Sequence, residues 1–267
     1  MDKTRHANLG ATAFAALLLM LPLPACADPL LGEGFTISGG TFALETTTKM
    51  QIDGTSGTGD EVNLEQDLGL TDQSRFRVDM TWRFAEKHKL RALWFNNDRT
   101  ASRVLAQDIT VGDDTYLAGT SVTTVLDTDI IELAYEYAFW REDDWEITGS
   151  AGIHAIKFNY DIDGAVDTPA EADATGPLPV FGARGMWRYG SAWYLEAQGQ
   201  FFGIEAGGIK GRLDDYKASV TYMFGDNFGA GLGWNQFTMR ITSTDTSFDG
   251  IFQWSYGGPM LFVTGAF

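Results

Sequence analysis

Polar and apolar residues take turns along most of this chain. In residues 75–84, Phe76, Val78, Met80, Trp82 and Phe84 fall on one side of an extended backbone, and Arg75, Arg77, Asp79, Thr81 and Arg83 fall on the other. Successive side chains of a strand point to opposite faces, so this period of two predicts a strand with one face for hydrocarbon and one for water or ion partners. The rule repeats three times. Ile131, Leu133, Tyr135, Tyr137 and Phe139 oppose Glu132, Ala134, Glu136 and Ala138; Trp193, Leu195, Ala197, Gly199 and Phe201 oppose Tyr194, Glu196, Gln198 and Gln200; Tyr216, Ala218, Val220, Tyr222 and Phe224 oppose Lys217, Ser219, Thr221 and Met223.

Extending this reading gives strands near 35–52, 74–84, 89–108, 116–139, 145–161, 179–189, 192–204, 213–224, 228–241 and 251–267. The expected fold is all-β, a transmembrane antiparallel up-and-down barrel of about ten strands, with eight or twelve as alternatives. An even count returns both termini to the periplasmic side. Alternate connections are short, at 85–88, 140–144, 190–191 and 225–227, and read as periplasmic hairpins. The connections at 53–73, 107–116 and 161–179 are longer, acidic and glycine-rich, as extracellular loops are.

Aromatic residues crowd the proposed hairpins: Trp82, Phe84, Tyr137, Phe139, Trp145, Trp187, Tyr189, Trp193, Tyr222 and Phe224. Closing the sheet would gather them into one girdle at one membrane interface.

The first 27 residues fit a different role. Lys3 and Arg5 precede an apolar run, residues 9–21, that is too short to span a bilayer; Pro22, Pro24 and the small residues Ala25 and Ala27 follow. This is the pattern of a signal peptide, cut before Asp28. A lipobox reading, with Cys26 lipidated, is the alternative. The expected organisation is therefore a signal peptide at 1–27 and a single outer-membrane barrel domain at 28–267. Beyond residue 27, 17 basic and 35 acidic residues remain, a formal net charge of −18, which opposes nucleic-acid binding. No cysteine remains either, so thiol chemistry and disulfides are not available.

The terminal Phe267, with Leu261 and Val263 on its strand face, is similar to the C-terminal signature by which the barrel-assembly machinery recognises outer-membrane proteins. The run 62–70, the strand 75–84, residues 88–90, Asp98-Arg99, the run 108–113, the segment 129–139 and Gly258-Pro259 resemble a group of proteobacterial outer-membrane barrel proteins of uncharacterised function. The resemblance implies the barrel and the outer membrane, and carries over no catalytic residues. The implied partners are outer-membrane lipids, lipopolysaccharide and the assembly machinery.

The candidate site is the inward face: Arg75, Arg77, Asp79 and Arg83; Glu132 and Glu136; Arg184 and Arg188; Glu196, Gln198 and Gln200; and Lys217. In a narrow bore these long side chains would pack as ion pairs and fill the lumen, giving a non-enzymatic structural or surface-interaction barrel. The alternative is a narrow passive channel whose charged rings select ions or small solutes. An enzyme acting on lipid or peptide would need a histidine near the outer rim beside a nucleophile or carboxylate. His88 falls in a proposed periplasmic turn and His154 lies mid-strand without a hydroxyl two residues on, so no catalytic residue, cofactor or metal site is assigned.

Three loop features complete the expectations. Asp161, Asp163, Asp167, Glu171 and Asp173 offer oxygen ligands that could share Ca²⁺ or Mg²⁺ with lipopolysaccharide phosphates, though a solvated loop is the favoured reading. Residues 62–70 read as a hairpin tip, with a short plug as the alternative because Leu64, Leu68 and Leu70 are nearly at helical spacing. The glycine-rich 53–60 reads as a mobile loop.

Overall fold

The computed structural model describes residues 28–32, 34–55, 57–163, 170–245 and 248–267. The signal-peptide reading thus lies outside the described residues. The chain forms strands β1 (Gly34–Ala43), β2 (Glu45–Ile52), β3 (Val62–Asn63), β4 (Ser74–Ala85), β5 (His88–Asn96), β6 (Arg99–Val104), β7 (Ile109–Val111), β8 (Asp114–Tyr116), β9 (Ser121–Arg141), β10 (Trp145–Asp163), β11 (Ala170–Tyr189), β12 (Trp193–Ala206), β13 (Ile209–Met223), β14 (Phe228–Asp245) and β15 (Phe248–Ala266). No helix among the described residues is long and apolar enough to cross a membrane.

Taking β1 with β2 and β5 with β6 as single wall strands, ten antiparallel strands close on themselves. β15 pairs with β14 along one edge, and its other edge pairs with β1 (Thr36 opposite Ala266, Phe42 opposite Met260) and then β2 (Glu45 opposite Gly257, Ile52 opposite Gly250). Closure pairs the edges of the sheet with each other, which is how strands satisfy their backbone groups when they cross hydrocarbon. Gly258 sits where β1 hands over to β2. Its φ is 154°, and an added Cβ would meet the Ala43 carbonyl oxygen at 1.9 Å, so only glycine fits this approach.

Polarity is sorted as the alternation predicts. Phe76, Trp94, Ile131, Leu133, Phe181, Leu195, Leu232, Trp234, Leu261 and Val263 are exposed on the outer wall, while Arg77, Glu132, Glu136, Arg184 and Gln200 are buried inside. A soluble protein does not expose so continuous an apolar belt.

Two segments depart from expectation. Most of 161–179 is strand rather than loop, because β10 runs to Asp163 and β11 starts at Ala170, with Ile162 paired to Ala170. Polar outward residues such as Lys157 end the apolar pattern there but not the backbone pairing, so these strands stand above the apolar belt. Residues 107–116 hold a small hairpin, β7 to β8.

The wall also has a notch. β4 begins at Ser74, opposite Ala43, so no wall strand lies beside the free edge of β2. The segment 62–72 fills it. Val62 and Asn63 pair with Met50 and Lys49, the Leu64 N–H donates to the Thr48 carbonyl (3.0 Å), and carboxylates take the remaining donors: Thr46 N–H to Asp72 Oδ1 (2.7 Å) and Thr48 N–H to Glu65 Oε2 (2.7 Å). Edge groups that would otherwise be orphaned are thereby satisfied by side chains.

Candidate functional site

The interior is layered, and each layer follows from which residues the alternation turns inward. At the periplasmic mouth, residues 28–32 form a turn held by the Asp28 carboxylate, which accepts from Leu30 N–H (3.0 Å), Leu31 N–H (2.6 Å) and the Tyr194 hydroxyl (3.1 Å). Arg188 donates to Asp28 (2.6 Å) and Asp144 (2.7 Å), Arg83 to the Gly32 carbonyl (3.1 Å) and Arg141 to the Leu31 carbonyl (2.8 Å). Leu31 packs with Tyr194, Met223 and Ala266, closing this end.

Above the turn lies a charged stack. Glu146 accepts from Arg83 (2.5 Å) and from Lys89; Glu136 accepts from Arg91 (2.9 Å) and Arg184 (2.6 Å); Glu196 pairs with Arg184 (3.3 Å) and Lys217 (3.1 Å). Asp79 receives both Arg77 (2.8 Å) and Lys217 (3.4 Å). Small inward residues on β1, Thr36, Ser38 and Gly40, leave a cavity of about 80 Å³ beside Asp79 and Lys217, the volume of a few water molecules.

Next comes a tier of hydrogen-bonded carboxylates. Glu132 Oε1 accepts from Arg91 (2.6 Å) and Gln200 (2.8 Å), Gln198 donates to Gln200 (3.2 Å), and Asn235 joins Arg77 (2.7 Å) to Asp215 (2.5 Å). His154 Nε2 lies 3.0 Å from Glu132 Oε2, and both residues are fully buried.

The extracellular half of the bore holds an apolar layer. Phe42, Phe95, Phe237, Trp254 and Tyr256 pack at ring separations of 4.8–6.1 Å, with Leu93, Ile130, Val180 and Leu213 around them. Arg77 marks the boundary, its guanidinium 5.8 Å from the Phe42 ring and 5.9 Å from the Phe95 ring, a cation–π arrangement. The charged residues therefore lie toward the periplasmic side, and an aromatic and aliphatic layer lies above them.

A lid covers this layer. Leu64, Leu68 and Leu70 are buried with Met50, Leu105, Ile109, Val111, Tyr116 and Leu126, so residues 62–70 form the plug rather than a hairpin tip. Arg99 clamps it, donating to Glu65 (2.5 Å) and the Thr48 hydroxyl (2.8 Å). The segment 53–60 is tied to the β7–β8 hairpin: Gly112 N–H donates to the Ile52 carbonyl (3.0 Å), Asp60 N–H to the Thr110 carbonyl (2.9 Å), and Thr110 N–H back to Asp60 Oδ2 (2.8 Å). These bonds contradict the expectation of a free, mobile loop. At the rim the hydrogen bond from Lys49, and its charge, hold the exposed Glu61 carboxyl below its ordinary range.

Of the twelve expected lumen residues, Arg77, Asp79, Arg83, Glu132, Glu136, Arg184, Glu196, Gln198, Gln200 and Lys217 meet in the stack. Arg75 does not: its guanidinium donates to the Asp98 carbonyl at the outer rim, because β4 ends just above it. Arg188 belongs to the periplasmic closure. Lys89, Arg91, Glu146, Asp215 and Asn235 were missed. On β5 the outward His88, Leu90, Ala92 and Trp94 and the inward Leu93 and Phe95 make both faces apolar, which hides Lys89 and Arg91. Their one signal was position, alternate residues beside the Glu132 and Glu136 register.

The expected interface aromatics lie at the end of the wall that carries the short turns. Trp187 and Tyr189 (5.7 Å), Trp193 and Tyr222 (4.8 Å), Tyr222 and Phe224 (5.6 Å), and Trp82 and Phe84 (5.5 Å) pack edge-on or tilted along the exterior, with Trp145 against Trp140 (4.7 Å). Tyr137 and Phe139 project outward beside them. Phe267 closes the sheet: its N–H and carbonyl pair with Phe35, and its ring packs edge-on against Phe228 (6.3 Å). Asp161 and Asp163 of the acidic cluster sit on β10 and Glu171 and Asp173 on β11, while Asp167 lies outside the described residues.

No family model matches the chain, and no curated protein does. Among solved structures, the outer-membrane protease OmpT of Escherichia coli superposes over 88% of this chain and 97% of its own, at 12% identity and a TM-score of 0.53. The chain has the outer-membrane β-barrel fold. More distant are the toluene transporter TodX of Pseudomonas putida (7% identity, 91% and 93% coverage, TM-score 0.39) and OprG of Pseudomonas aeruginosa (13%, 89% and 98%, TM-score 0.31). A closed barrel with an even number of strands, a lipid-facing belt and an aromatic girdle at its short-turn end belongs in the bacterial outer membrane.

Proposed function

We propose that this protein is a non-enzymatic outer-membrane barrel whose filled interior makes it a rigid, non-conducting scaffold for the structures it presents at the cell surface. The observation that carries this reading is occlusion at successive depths: the 28–32 turn at one mouth, the ion-paired stack, the aromatic layer, and the 62–70 plug at the other. Charges locked to neighbours at 2.5–3.4 Å are not arranged as an open ring that could strip and pass an ion.

Peptide cleavage, the activity of OmpT, is the less favoured reading. His88 faces the lipid girdle beside Tyr135 and Tyr137, and His154 lies beneath both the aromatic layer and the plug.

Liposomes carrying the purified protein are expected to swell in isosmotic arabinose no faster than empty liposomes. Swelling at the rate of a general porin would overturn the reading in favour of a passive channel. That second reading draws support from the notch beside β2, which is sealed by the two-residue β3 and the segment after it rather than by a wall strand.

A further inference from the structure

Glu132, His154 and Asp215 come from three separate strands, β9, β10 and β13, and their ligand atoms all lie within 4.8 Å of one another. All three side chains are buried. Their polar atoms are not satisfied by the protein: both ring nitrogens of His154 and Oε2 of Glu132 lack a hydrogen bond, since the 3.0 Å approach of Nε2 to Oε2 has the distance of one without its direction. A buried imidazole with both nitrogens orphaned is costly in either tautomer, and it points to a missing partner.

Neighbouring side chains hold both carboxylates in place. Gln200 and Arg91 both donate to Glu132 Oε1, which leaves Oε2 turned to His154, and Asn235 donates to Asp215 Oδ1. Such outer hydrogen bonds fix the orientation of ligating carboxylates. The three side chains offer one imidazole nitrogen and two carboxylate oxygens, and a nitrogen donor among oxygens suits a first-row transition ion better than Ca²⁺ or Mg²⁺.

We propose that Glu132, His154 and Asp215 form a binding site for one divalent transition-metal ion, loaded as the barrel closes. The site is independent of whether the lumen conducts. To test it, the tag-free protein is unfolded in urea with EDTA, refolded in detergent with Zn²⁺ or Cu²⁺, and desalted. One ion per folded barrel is expected, kept in His88→Ala and lost in His154→Ala and Glu132→Gln, with folding of each checked by heat-dependent gel migration. Wild-type protein that retains no ion overturns the proposal, as does an ion retained in folded His154→Ala. If the variants do not fold, pulsed electron paramagnetic resonance on Cu²⁺-loaded wild type decides the matter. Echo modulation from a single imidazole that persists in His88→Ala supports the site, and its absence refutes it.

Discussion

Arg91 on β5 divides its guanidinium between two carboxylates of β9, placing Nε 2.9 Å from Glu136 and a terminal nitrogen 2.6 Å from Glu132. Because the two glutamates stand four residues apart on one strand face, one planar fork spans them, and no single lysine ammonium could. Arg91→Met leaves two buried carboxylates short of a partner and is expected to destabilise the barrel by about 3–5 kcal/mol. Arg91→Lys should recover only part of that. Urea unfolding in lipid vesicles, followed by tryptophan fluorescence, measures both; a methionine variant as stable as wild type would show that the remaining cations redistribute to cover the loss.

The lipid-facing wall gives an opposite-sided test. Leu133 is exposed between the buried Glu132 and Ala134. Leu133→Lys puts a charge into hydrocarbon and is expected to destabilise by ~2–4 kcal/mol if the residue lies at the bilayer midplane, less nearer an interface. The same substitution would be close to neutral on a wall facing water, so equal stability of the variant in vesicles would contradict the placement of this face.

Glu65 holds the lid through both Arg99 and the Thr48 backbone. Glu65→Ala removes both contacts and leaves Arg99 buried with less compensation. Cleavage of the segment 53–73 by an added protease is expected to become faster while the wall itself stays intact on a gel; unchanged cleavage would mean that Leu64, Leu68 and Leu70 hold the plug unaided.

The wall was more legible than the bore. Strict alternation in β4, β9, β12 and β13 announced itself because one face carries charge and the other does not, and glycine- and aspartate-rich turns punctuated the strands. In β5 and at the outer ends of β10 and β11 that contrast fails. Leu93 and Phe95 turn inward as apolar residues, so polarity no longer reports facing, and the strand extension past Asp161 rests on backbone pairing that side chains do not encode. The carboxylate–histidine cluster was invisible for another reason. Glu132, His154 and Asp215 are 22 and 61 residues apart in sequence; hairpin register sets His154 opposite Glu132, and only closure of the sheet brings Asp215 across the bore to them.

Phe267 ties the last strand to the first through Phe35. Removing it takes away that pairing and the candidate recognition signal together. Deletion of Phe267 is expected to lower the fraction of heat-modifiable protein in outer-membrane preparations several-fold, while refolding of the pure protein in detergent falls less. Equal losses in both settings would assign the residue to closure alone.

The claim on which most depends is that side chains fill the bore from the 28–32 turn to the plug. Single-molecule current recording across a planar lipid bilayer containing the purified barrel tests it directly. The filled interior should give a quiet baseline at either polarity; reproducible stepwise openings of fixed amplitude, still present after the plug is cross-linked to the wall, would contradict it.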